Sequence, residues 1–256
     1  MILVVAGTGD AREAINVLAE RGKDVLASVV TEYGLEQLKD LGVEILKGRM
    51  DESGFRDLIR KRNIKIVVDC THPFALKASQ NAMGACRSSN TTYYRVRREK
   101  LDYSKRYSDV EAVEVEDFTE AAERASKYGR VLLTVGSGKL EDFTDRIDDW
   151  QGRLVARILP VEQFLVRARR LGFRPDEILA LKGPFSKKMN EVMIRDYDVE
   201  VLVTKASGKA GGLKEKFEAA SSAGISVIVI TRPELDYPRT IDGPEGLEKL
   251  MEAGKV

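Results

Sequence analysis

The sequence is poor in the residues on which many metal centres and catalytic nucleophiles depend. Its 256 residues include one histidine, His72, and two cysteines, Cys70 and Cys86. One histidine excludes a multi-histidine metal centre, and any Ser-His-Asp or Cys-His scheme would depend on His72 alone. The two cysteines are too far apart for a CxxC motif and too few for a secreted disulfide scaffold. We therefore expect no metal site and a reducing compartment.

Long apolar runs and an excess of either charge are also absent. The run at 2–6 is too short for the core of a signal peptide, and the run at 225–230 is far too short to span a bilayer. Lysine and arginine together number 42, against 41 for aspartate and glutamate, so the net charge is +1. No global field draws such a chain to nucleic acid or to an anionic membrane. We predict a cytoplasmic protein with neither kind of partner.

What is present is a regular alternation of short apolar runs and amphipathic stretches. The runs are apolar at nearly every position, which is typical of parallel strands buried on both faces. The predicted strands are 2–6, 25–30, 43–47, 64–69, 131–135, 154–158, 178–182, 199–204 and 225–230. The predicted helices are 11–21, 35–41, 55–62, 162–171, 186–195 and 213–222. This pattern predicts an α/β protein with two domains, 1–95 and 131–256, joined by a linker at 96–130.

Ligands of parallel sheets bind beyond the carboxyl ends of the strands, so chemistry is expected there. The first predicted strand is followed by Gly-Thr-Gly-Asp-Ala-Arg at 7–12 and then by a helix. Glycines there let a phosphate approach the backbone N–H groups at a helix N-terminus. Arg12 stands where a GxGxxG motif has its third glycine, so the motif is incomplete. Its place at the first strand-to-helix turn favours a nucleotide site, and an ordinary turn is the alternative.

The second strand end carries hydroxyl groups where many NAD sites have an acidic residue. Ser28 and Thr31 could donate to a 2′-phosphate, and Glu32 lies somewhat late for a ribose contact. Both hydroxyls could equally cap the next helix. The sequence leaves the choice between NADH and NADPH open.

The only histidine follows the fourth predicted strand, in Asp-Cys-Thr-His-Pro-Phe-Ala at 69–75. A proline in the first helical turn fixes where the next helix begins. A lone histidine is often structural, but a strand end favours a functional role for His72. Asp69 could orient the imidazole or could satisfy N–H groups of the loop.

Three strand ends in the second half are rich in glycine, lysine and hydroxyl residues, at 134–139, 182–186 and 204–212. Two of them contain Gly-Lys, but neither has the spacing of a P-loop, which argues against ATP hydrolysis. Glycines and cations at one edge of a sheet suit an anionic ligand, as does Arg157 at another strand end.

Together the strand-end motifs resemble those of the precorrin-6A reductase family of cobalamin biosynthesis, over nearly the whole chain. The matching segments are Gly-Thr-Gly-Asp-Ala-Arg at 7–12, Asp-Cys-Thr-His-Pro-Phe-Ala at 69–75, Tyr-Tyr-Arg at 93–95, Gly-Pro-Phe-Ser at 183–186 with Asn190, Thr-Lys-Ala-Ser-Gly at 204–208 and Thr-Arg-Pro at 231–233. Thr-His-Pro-Phe-Ala and Thr-Lys-x-Ser-Gly are the more specific elements. The sequence departs from the family pattern in two places. It has Arg-Val-Arg-Arg at 95–98 without an Arg-Pro, and Gly-Ser-Gly at 136–138 in place of Gly-Arg. These departures leave open which residues bind the carboxylates of the substrate.

The resemblance implies two Rossmann-like parallel-sheet domains with a cleft between them. From the position of the glycine loop we expect the cofactor on the N-terminal side and the substrate on the C-terminal side. It implies that NADPH or NADH delivers a hydride across one carbon–carbon double bond of a tetrapyrrole, either precorrin-6A or its cobalt form. A proton must reach the ring as well, and His72, Tyr94, Lys205 or a water could deliver it. Enzymes of adjacent pathway steps are the candidate protein partners.

The resemblance and the strand-end positions also imply which residues form the site. The expected catalytic residues are His72, Thr71 and Tyr94. The expected cofactor-binding residues are Gly7, Thr8, Gly9, Ala11, Arg12, Ser28 and Thr31. The expected substrate-binding residues are Arg95, Arg98, Lys205, Ser207, Gly208 and Lys209.

Other functions share part of this pattern. A short-chain dehydrogenase would have the glycine loop, but the chain contains no Tyr-x-x-x-Lys. Another NAD(P)-binding reductase remains open. A non-catalytic nucleotide-binding module would explain the first half and would leave the glycine- and lysine-rich strand ends of the second half unexplained. A methyltransferase of the same pathway would instead bind S-adenosylmethionine.

Overall fold

A computed structural model describes residues 1–98, 107, 109–208 and 211–254. The described strands are β1 (Ile2–Ala6), β2 (Val25–Val29), β3 (Glu44–Lys47), β4 (Ile66–Cys70), β5 (Thr92–Arg97), β6 (Ala112–Val115), β7 (Val131–Leu133), β8 (Leu154–Ile158), β9 (Ile178–Ala180), β10 (Val201–Lys205), β11 (Ser226–Ile230) and β12 (Thr240–Asp242). The described α-helices are α1 (Gly9–Glu20), α2 (Glu32–Glu36), α3 (Glu52–Lys61), α4 (Leu76–Ser88), α5 (Phe118–Ala125), α6 (Glu141–Thr144), α7 (Glu162–Leu171), α8 (Lys187–Asp196), α9 (Leu213–Ala223) and α10 (Gly246–Glu252).

The strands form two six-stranded sheets in which neighbouring strands are parallel. The order is β3-β2-β1-β4-β5-β12 in the first sheet and β9-β8-β7-β10-β11-β6 in the second. By position both sheets have the order 3-2-1-4-5-6, which is that of dinucleotide-binding folds. The prediction of an α/β protein with two parallel sheets is confirmed.

Each sheet takes its sixth strand from the other half of the chain, and not from the segment that directly follows its own fifth strand. β6 follows the first five strands along the chain, yet it pairs with β11, with Val113 opposite Ile228. β12 follows β11, yet it pairs with β5, with Ile241 opposite Val96. The two sheets therefore exchange their edge strands.

This exchange corrects the predicted domain boundaries. One compact unit consists of Met1–Glu99 and Pro233–Val256, and the other is Lys100–Arg232. The predicted linker at 96–130 therefore contains a strand and a helix of the second unit, and 233–256 belongs to the first unit. The edge strands have the sequences AVEV and TID, which are too short and too polar for the buried-strand pattern.

The central strands of the first sheet are buried on both faces, as their sequences predict. β1 and β2 are buried along their whole length. On one face Val4 packs in a cluster with Leu18 of α1, and on the other Leu3 packs in a cluster with Phe55 of α3. Helices on both faces explain why these strands are apolar at every position.

The second sheet carries α8 and α9 on one face. Val155 of β8 and Leu202 of β10 lie in one core cluster with Phe217 of α9. Side chains alternate between the faces of a strand. Arg157 and Thr204, two residues further along these strands, therefore face the same two helices.

Most predicted elements exist with shifted ends. α7 has its predicted limits, whereas α2 begins before the predicted 35–41, because Thr31 Oγ1 caps it by accepting a hydrogen bond from Gly34 N at 3.0 Å. A helix is predicted after the loop at 69–75, but without bounds, since the alanines, serines and glycine of α4 give weak apolar periodicity; α4 begins at Leu76, so Pro73 precedes its first turn. Within the described residues, no helix is long and apolar enough to cross a membrane.

Candidate active site

The loops that follow β1 and β4 lie against each other, since the two strands are neighbours in the sheet. A Cβ atom on Gly7 would lie 3.3 Å from Thr71 Cα and 3.4 Å from His72 N. A residue without a side chain suits such a close approach of two backbones. The structure thus brings the predicted glycine loop and the predicted Thr71-His72 segment together.

The glycine loop leads into α1 and leaves space beside the N-terminus of that helix. A Cβ atom on Gly9 would meet no described atom within 4 Å. Thr8 Oγ1 lies 3.2 Å from Asp10 Oδ2 and 3.0 Å from Cys70 O, which ties the loop to the end of β4. Ala11 is buried and its N–H donates to Thr8 O at 3.1 Å. The open backbone at Gly9 is the part of this loop that suits a phosphate.

An ion pair lies at the start of α1. Arg98 Nε donates to Asp10 Oδ2, and both side chains are largely buried. A carboxylate at a helix N-terminus repels an incoming anion, and the guanidinium offsets that charge. Arg98, predicted to bind substrate, therefore lies at the predicted cofactor loop.

Arg12 is engaged with the segment that follows α2. Its Nη1 donates to Asp40 Oδ1 and to Gln37 O, both at 2.7 Å. The hydrogen bond from Arg12 lowers the pKa of Asp40 to about 2. The structure thus places this guanidinium on Asp40 instead of at the glycine loop.

The two hydroxyl residues near the end of β2 have different surroundings. Thr31 caps α2, which is one of the two roles that the sequence leaves open. Ser28 is buried, and its Oγ has no hydrogen-bond partner in the described part of the chain. A buried hydroxyl without a partner is costly, so Ser28 is the better candidate for contact with a ligand.

Asp69 is fully buried at the end of β4 and accepts four hydrogen bonds. The donors are Thr71 N (2.8 Å), Ser79 Oγ (2.6 Å), Tyr93 OH (2.6 Å) and Arg95 Nη1 (2.8 Å). Burial and then the charge of Asp69 raise the pKa of Tyr93. Of the two roles open to Asp69, the structure supports the binding of a loop N–H group.

Arg95 completes this network from β5. Its side chain is 4% exposed, and it donates from Nη1 to Thr71 Oγ1 (2.7 Å) and from Nη2 to Thr71 O (2.8 Å). Burial opposes the Arg95 charge, but Asp69, Tyr237 and Tyr93 together outweigh it, so the pKa of Arg95 is raised. Arg95, predicted to bind a substrate carboxylate, instead fixes Thr71 from inside the fold.

His72 is half-buried and is oriented by its own loop. Phe74 N donates to His72 Nδ1 at 3.3 Å, and Ala75 N donates to His72 O at 2.8 Å. Because Nδ1 accepts a hydrogen bond, the neutral imidazole carries its proton on Nε2. His72 therefore combines a fixed ring with a donor at Nε2.

Tyr94 lies apart from the loop that carries Thr71. Its ring is buried in the core cluster that also contains Leu247 of α10. The neighbouring Tyr93 faces Asp69, on the opposite side of the sheet. The structure thus gives Tyr94 a place in the core and does not bring it together with Thr71.

The predicted substrate-binding residues of the second unit lie at the end of β10. Lys205 is half-buried, and burial followed by the charge of Lys139 lowers its pKa to about 8. Ser207 N donates to Lys205 O at 2.6 Å, so this amide has an internal partner. Gly208 has a φ of +75°, which favours glycine. Lys209 lies outside the described residues.

Arg157, at another strand end, is buried and has no countercharge among the described residues. It is 7% exposed, and its Nη1 donates to Asn190 Oδ1 at 2.8 Å. Its guanidinium carbon lies 4.5 Å from the centre of the Phe185 ring. No carboxylate of the described residues pairs with Arg157, and burial lowers its pKa to about 10. A buried cation of this kind favours an anion nearby.

Comparison with known proteins decides the family. A family model described as "Precorrin-6x reductase CbiJ/CobK" matches residues 1–252. The chain belongs to this family. Membership confirms the predicted class, an oxidoreductase, and the family on which the strand-end motifs converge.

Relatives cover nearly the whole chain. It is 37% identical over 239 residues to "Cobalt-precorrin-6A reductase" of Priestia megaterium, covering 93% of this chain and 92% of the relative. It is 34% identical over 259 residues to the protein of the same name from Methanocaldococcus jannaschii, covering 100% and 99%. "Precorrin-6A reductase" of Rhodococcus erythropolis is 30% identical over 252 residues, covering 96% and 94%.

One solved structure has the same fold. "CobK precorrin-6A reductase" matches with a TM-score of 0.80 at 23% identity, covering 100% of this chain and 98% of the other. The likeness agrees with the two parallel sheets described above.

Proposed function

We propose that the protein reduces one carbon–carbon double bond in the ring of precorrin-6A or cobalt-precorrin-6A, with NADPH or NADH as the hydride source. The observation that carries the proposal is the family match over 1–252, which includes the site segments 7–12, 69–75 and 204–208. Relatives named for the cobalt form are 37% and 34% identical, and one named for precorrin-6A is 30% identical. These names favour the cobalt form as the substrate.

The first unit offers features that suit a dinucleotide. Gly9 leaves the N-terminus of α1 open, and the N–H groups of a helix N-terminus attract a phosphate. Ser28 Oγ, buried and without a partner in the described residues, supports a further polar contact. We assign cofactor binding to the loop 7–9 and to Ser28, and a bound nicotinamide supplies the hydride.

Thr71 and His72 are the residues that we place beside the reacting atoms. The buried network around Asp69 and Arg95 fixes Thr71, and the loop fixes the imidazole. Reduction needs a proton on the carbon next to the one that receives the hydride, and His72 Nε2 is our candidate donor. Lys205, with a pKa lowered to about 8 by burial, is the alternative donor.

The second unit supplies positive charge for a substrate fringed with carboxylates. Lys205 and Gly208 lie at the end of β10, and Lys209 follows them in the sequence. Arg157 adds a cation that no described carboxylate neutralises. We assign these residues to the binding of the acidic side chains of the tetrapyrrole.

We also propose a cytoplasmic location and, as protein partners, the enzymes of adjacent pathway steps. One observation supports the location: Cys70 and Cys86 are both buried free thiols, as expected in a reducing compartment.

The deciding experiment is the oxidation of NADPH and of NADH, followed at the nicotinamide absorbance. Precorrin-6A and cobalt-precorrin-6A are offered separately, with a tetrapyrrole-free reaction as the control. We expect oxidation with at least one of them, faster with the cobalt form. Cofactor binding without oxidation in every pairing would overturn the proposal in favour of another reductase or a nucleotide-binding module. Binding of S-adenosylmethionine in preference to both nucleotides would indicate a methyltransferase.

A further inference from the structure

Lys216 is a buried lysine that the strand-end motifs do not include. It lies in the first half of α9 and is 6% exposed. Its Nζ donates to Thr204 Oγ1 at 3.0 Å and to Gly211 O at 2.9 Å. We call residues 204–208 together with 211–212 the β10 loop. One side chain therefore joins the two ends of this loop.

The β10 loop is tightly folded on itself. Ser207 N donates to Lys205 O at 2.6 Å, and Gly211 N donates to Gly208 O at 3.0 Å. A Cβ atom on Gly211 would overlap Ser207 Oγ. Because the two ends are in contact, a displacement of Gly211 must also displace Ser207.

The other side of the loop is held by the neighbouring strand. Ala206 N donates to Ile230 O at 2.8 Å, and Arg232 Nε donates to Ala206 O at 2.6 Å. Lys216 supplies the matching hold from the side of α9. Hydrogen bonds therefore hold the loop on two sides. On the side of β11 a backbone bond and Arg232 hold it, whereas on the side of α9 the Lys216 side chain provides the two hydrogen bonds described above.

A lysine at this place costs stability that an apolar residue would not. No described carboxylate pairs with Lys216, and burial followed by the charges of Arg157 and Lys205 lowers its pKa well below the ordinary value. A neutral amine still has two N–H donors, one for each of its two acceptors. The hydrogen bonds to Thr204 and Gly211 are therefore what distinguishes this lysine from a well-packed methionine.

We propose that Lys216 is a positioning residue, which holds the β10 loop in the shape that presents Lys205 and Ser207 to the carboxylates of the substrate. It acts through Thr204 and Gly211 and does not touch the substrate itself. The inference rests on the proposed function, because that function supplies the substrate.

The first test measures the loop without any ligand. Lys216→Met keeps an unbranched side chain that is one bond shorter and removes its donors, and Lys216→Gln has the same length as methionine and keeps a donor. Lys214→Met is the control, since Lys214 lies on the same helix, half-exposed and paired with Glu218 at 3.7 Å. We expect hydrogen exchange of peptides from 204–212 to be about tenfold faster in Lys216→Met, intermediate in Lys216→Gln and unchanged in the control.

The second test separates positioning from general stability. In Lys216→Met we expect the KM for the tetrapyrrole to rise about tenfold and kcat to change by less than about threefold. The Kd for NADPH should stay at the wild-type value, because the change is confined to one loop, and the Tm should not fall, because the variant no longer buries an amine. If Lys216→Met fails to fold, Lys216→Gln supplies both measurements.

Two outcomes overturn the inference: unchanged exchange in both Lys216 variants, or faster exchange with an unchanged KM. Failure of the proposed function is distinguishable from these. If the wild-type protein oxidises no cofactor with either tetrapyrrole, the proposed function is wrong, and so is the statement that the loop presents Lys205 and Ser207 to that substrate. Exchange in the ligand-free protein then decides by itself whether Lys216 holds the loop.

Discussion

Each unit of the molecule buries an arginine near a strand end, and the two arginines have different partners. Arg95 in the first unit meets the carboxylate of Asp69 at 2.8 Å. Arg157 in the second unit meets the amide oxygen of Asn190 at 2.8 Å and no described carboxylate. Burial opposes both charges, but Asp69 and the neighbouring tyrosines leave the pKa of Arg95 raised, whereas the pKa of Arg157 falls to about 10.

The difference matches the two roles that we propose for the units. A neutralised arginine organises the protein around it, and Arg95 does so by fixing Thr71. An arginine without a countercharge leaves positive potential for an anionic ligand, and Lys205 adds to it. Two sheets with the same strand order thus carry a self-contained charge network in one unit and, among the described residues, buried cations without a carboxylate partner in the other.

The largest expected effect comes from breaking the neutralised pair. Asp69→Asn keeps the shape of the side chain but leaves Arg95 buried without its countercharge. We expect the free energy of unfolding to fall by about 3–5 kcal/mol, as when one partner is removed from a buried ion pair. Urea unfolding followed by circular dichroism measures this loss.

The matched control is Asp57→Asn, because Asp57 forms an exposed pair with Arg60 at 3.1 Å. Exposed pairs contribute little, so no measurable change is expected there. Equal stabilities of Asp69→Asn and the control would contradict the view that the first unit depends on its buried charge network.

The next effect concerns chemistry at the loop that this network holds. We expect His72→Ala to lower kcat about 100-fold, the usual scale for loss of a general acid. His72→Asn is the control variant for structure, since its side-chain oxygen can still accept from Phe74 N in place of Nδ1. Both variants should lose activity while the Tm of the asparagine variant stays close to wild type. Wild-type turnover in His72→Ala would remove His72 from the catalytic residues and leave Lys205 or a water as the donor.

The sequence predicts the parts of the site that depend on strand ends. The adjacency of Gly7 and His72 follows from parallel strands whose carboxyl ends meet at one edge of a sheet, and the structure contains it. β5 and β12 escape prediction because they carry polar residues or are only a few residues long. The exchange of edge strands is therefore invisible in the pattern.

The partners of charged side chains could not be predicted from local patterns. Arg95 forms an ion pair with Asp69, which is 26 residues away in the sequence, and Arg12 forms one with Asp40, which is 28 residues away. Both arginines are expected at ligands on sequence grounds, and both instead bind carboxylates that the fold brings near. Lys216 is one of several charged residues at the start of α9, and nothing local marks it as the buried one.

A smaller effect concerns the pH dependence of the second unit. The pKa of Lys205 is about 8, so its charge is present below that pH and lost above it. We expect the KM for the tetrapyrrole to rise about tenfold between about pH 7 and about pH 9, as one charged contact disappears. Steady-state kinetics across this range measure the change.

Lys205→Arg sharpens the same comparison, because arginine stays charged over the whole range. Its KM should not rise between the two pH values, whatever its absolute value. The same titration affects folding in the other direction: as pH rises, substrate binding weakens but the free energy of unfolding increases. Between about pH 8 and about pH 10.4 the unfolded chain binds more protons at Lys205 than the folded chain, so this lysine contributes a rising free energy of unfolding with pH. A KM that is flat in the wild-type protein would show that Lys205 does not hold the substrate by charge.

The smallest effect compares the glycine loops of the two units. Gly9 and Gly138 each follow the central strand of their sheet, and a Cβ atom on either would meet no described atom within 4 Å. Gly9→Ala should therefore fold normally while its methyl group hinders a phosphate at the start of α1, raising the Kd for NADPH about fivefold. Gly138→Ala should leave that Kd unchanged, because we assign the cofactor to the first unit. Fluorescence titration of NADPH measures both, and a Kd raised only by Gly138→Ala would reverse the assignment, with the second unit then binding the cofactor's phosphates.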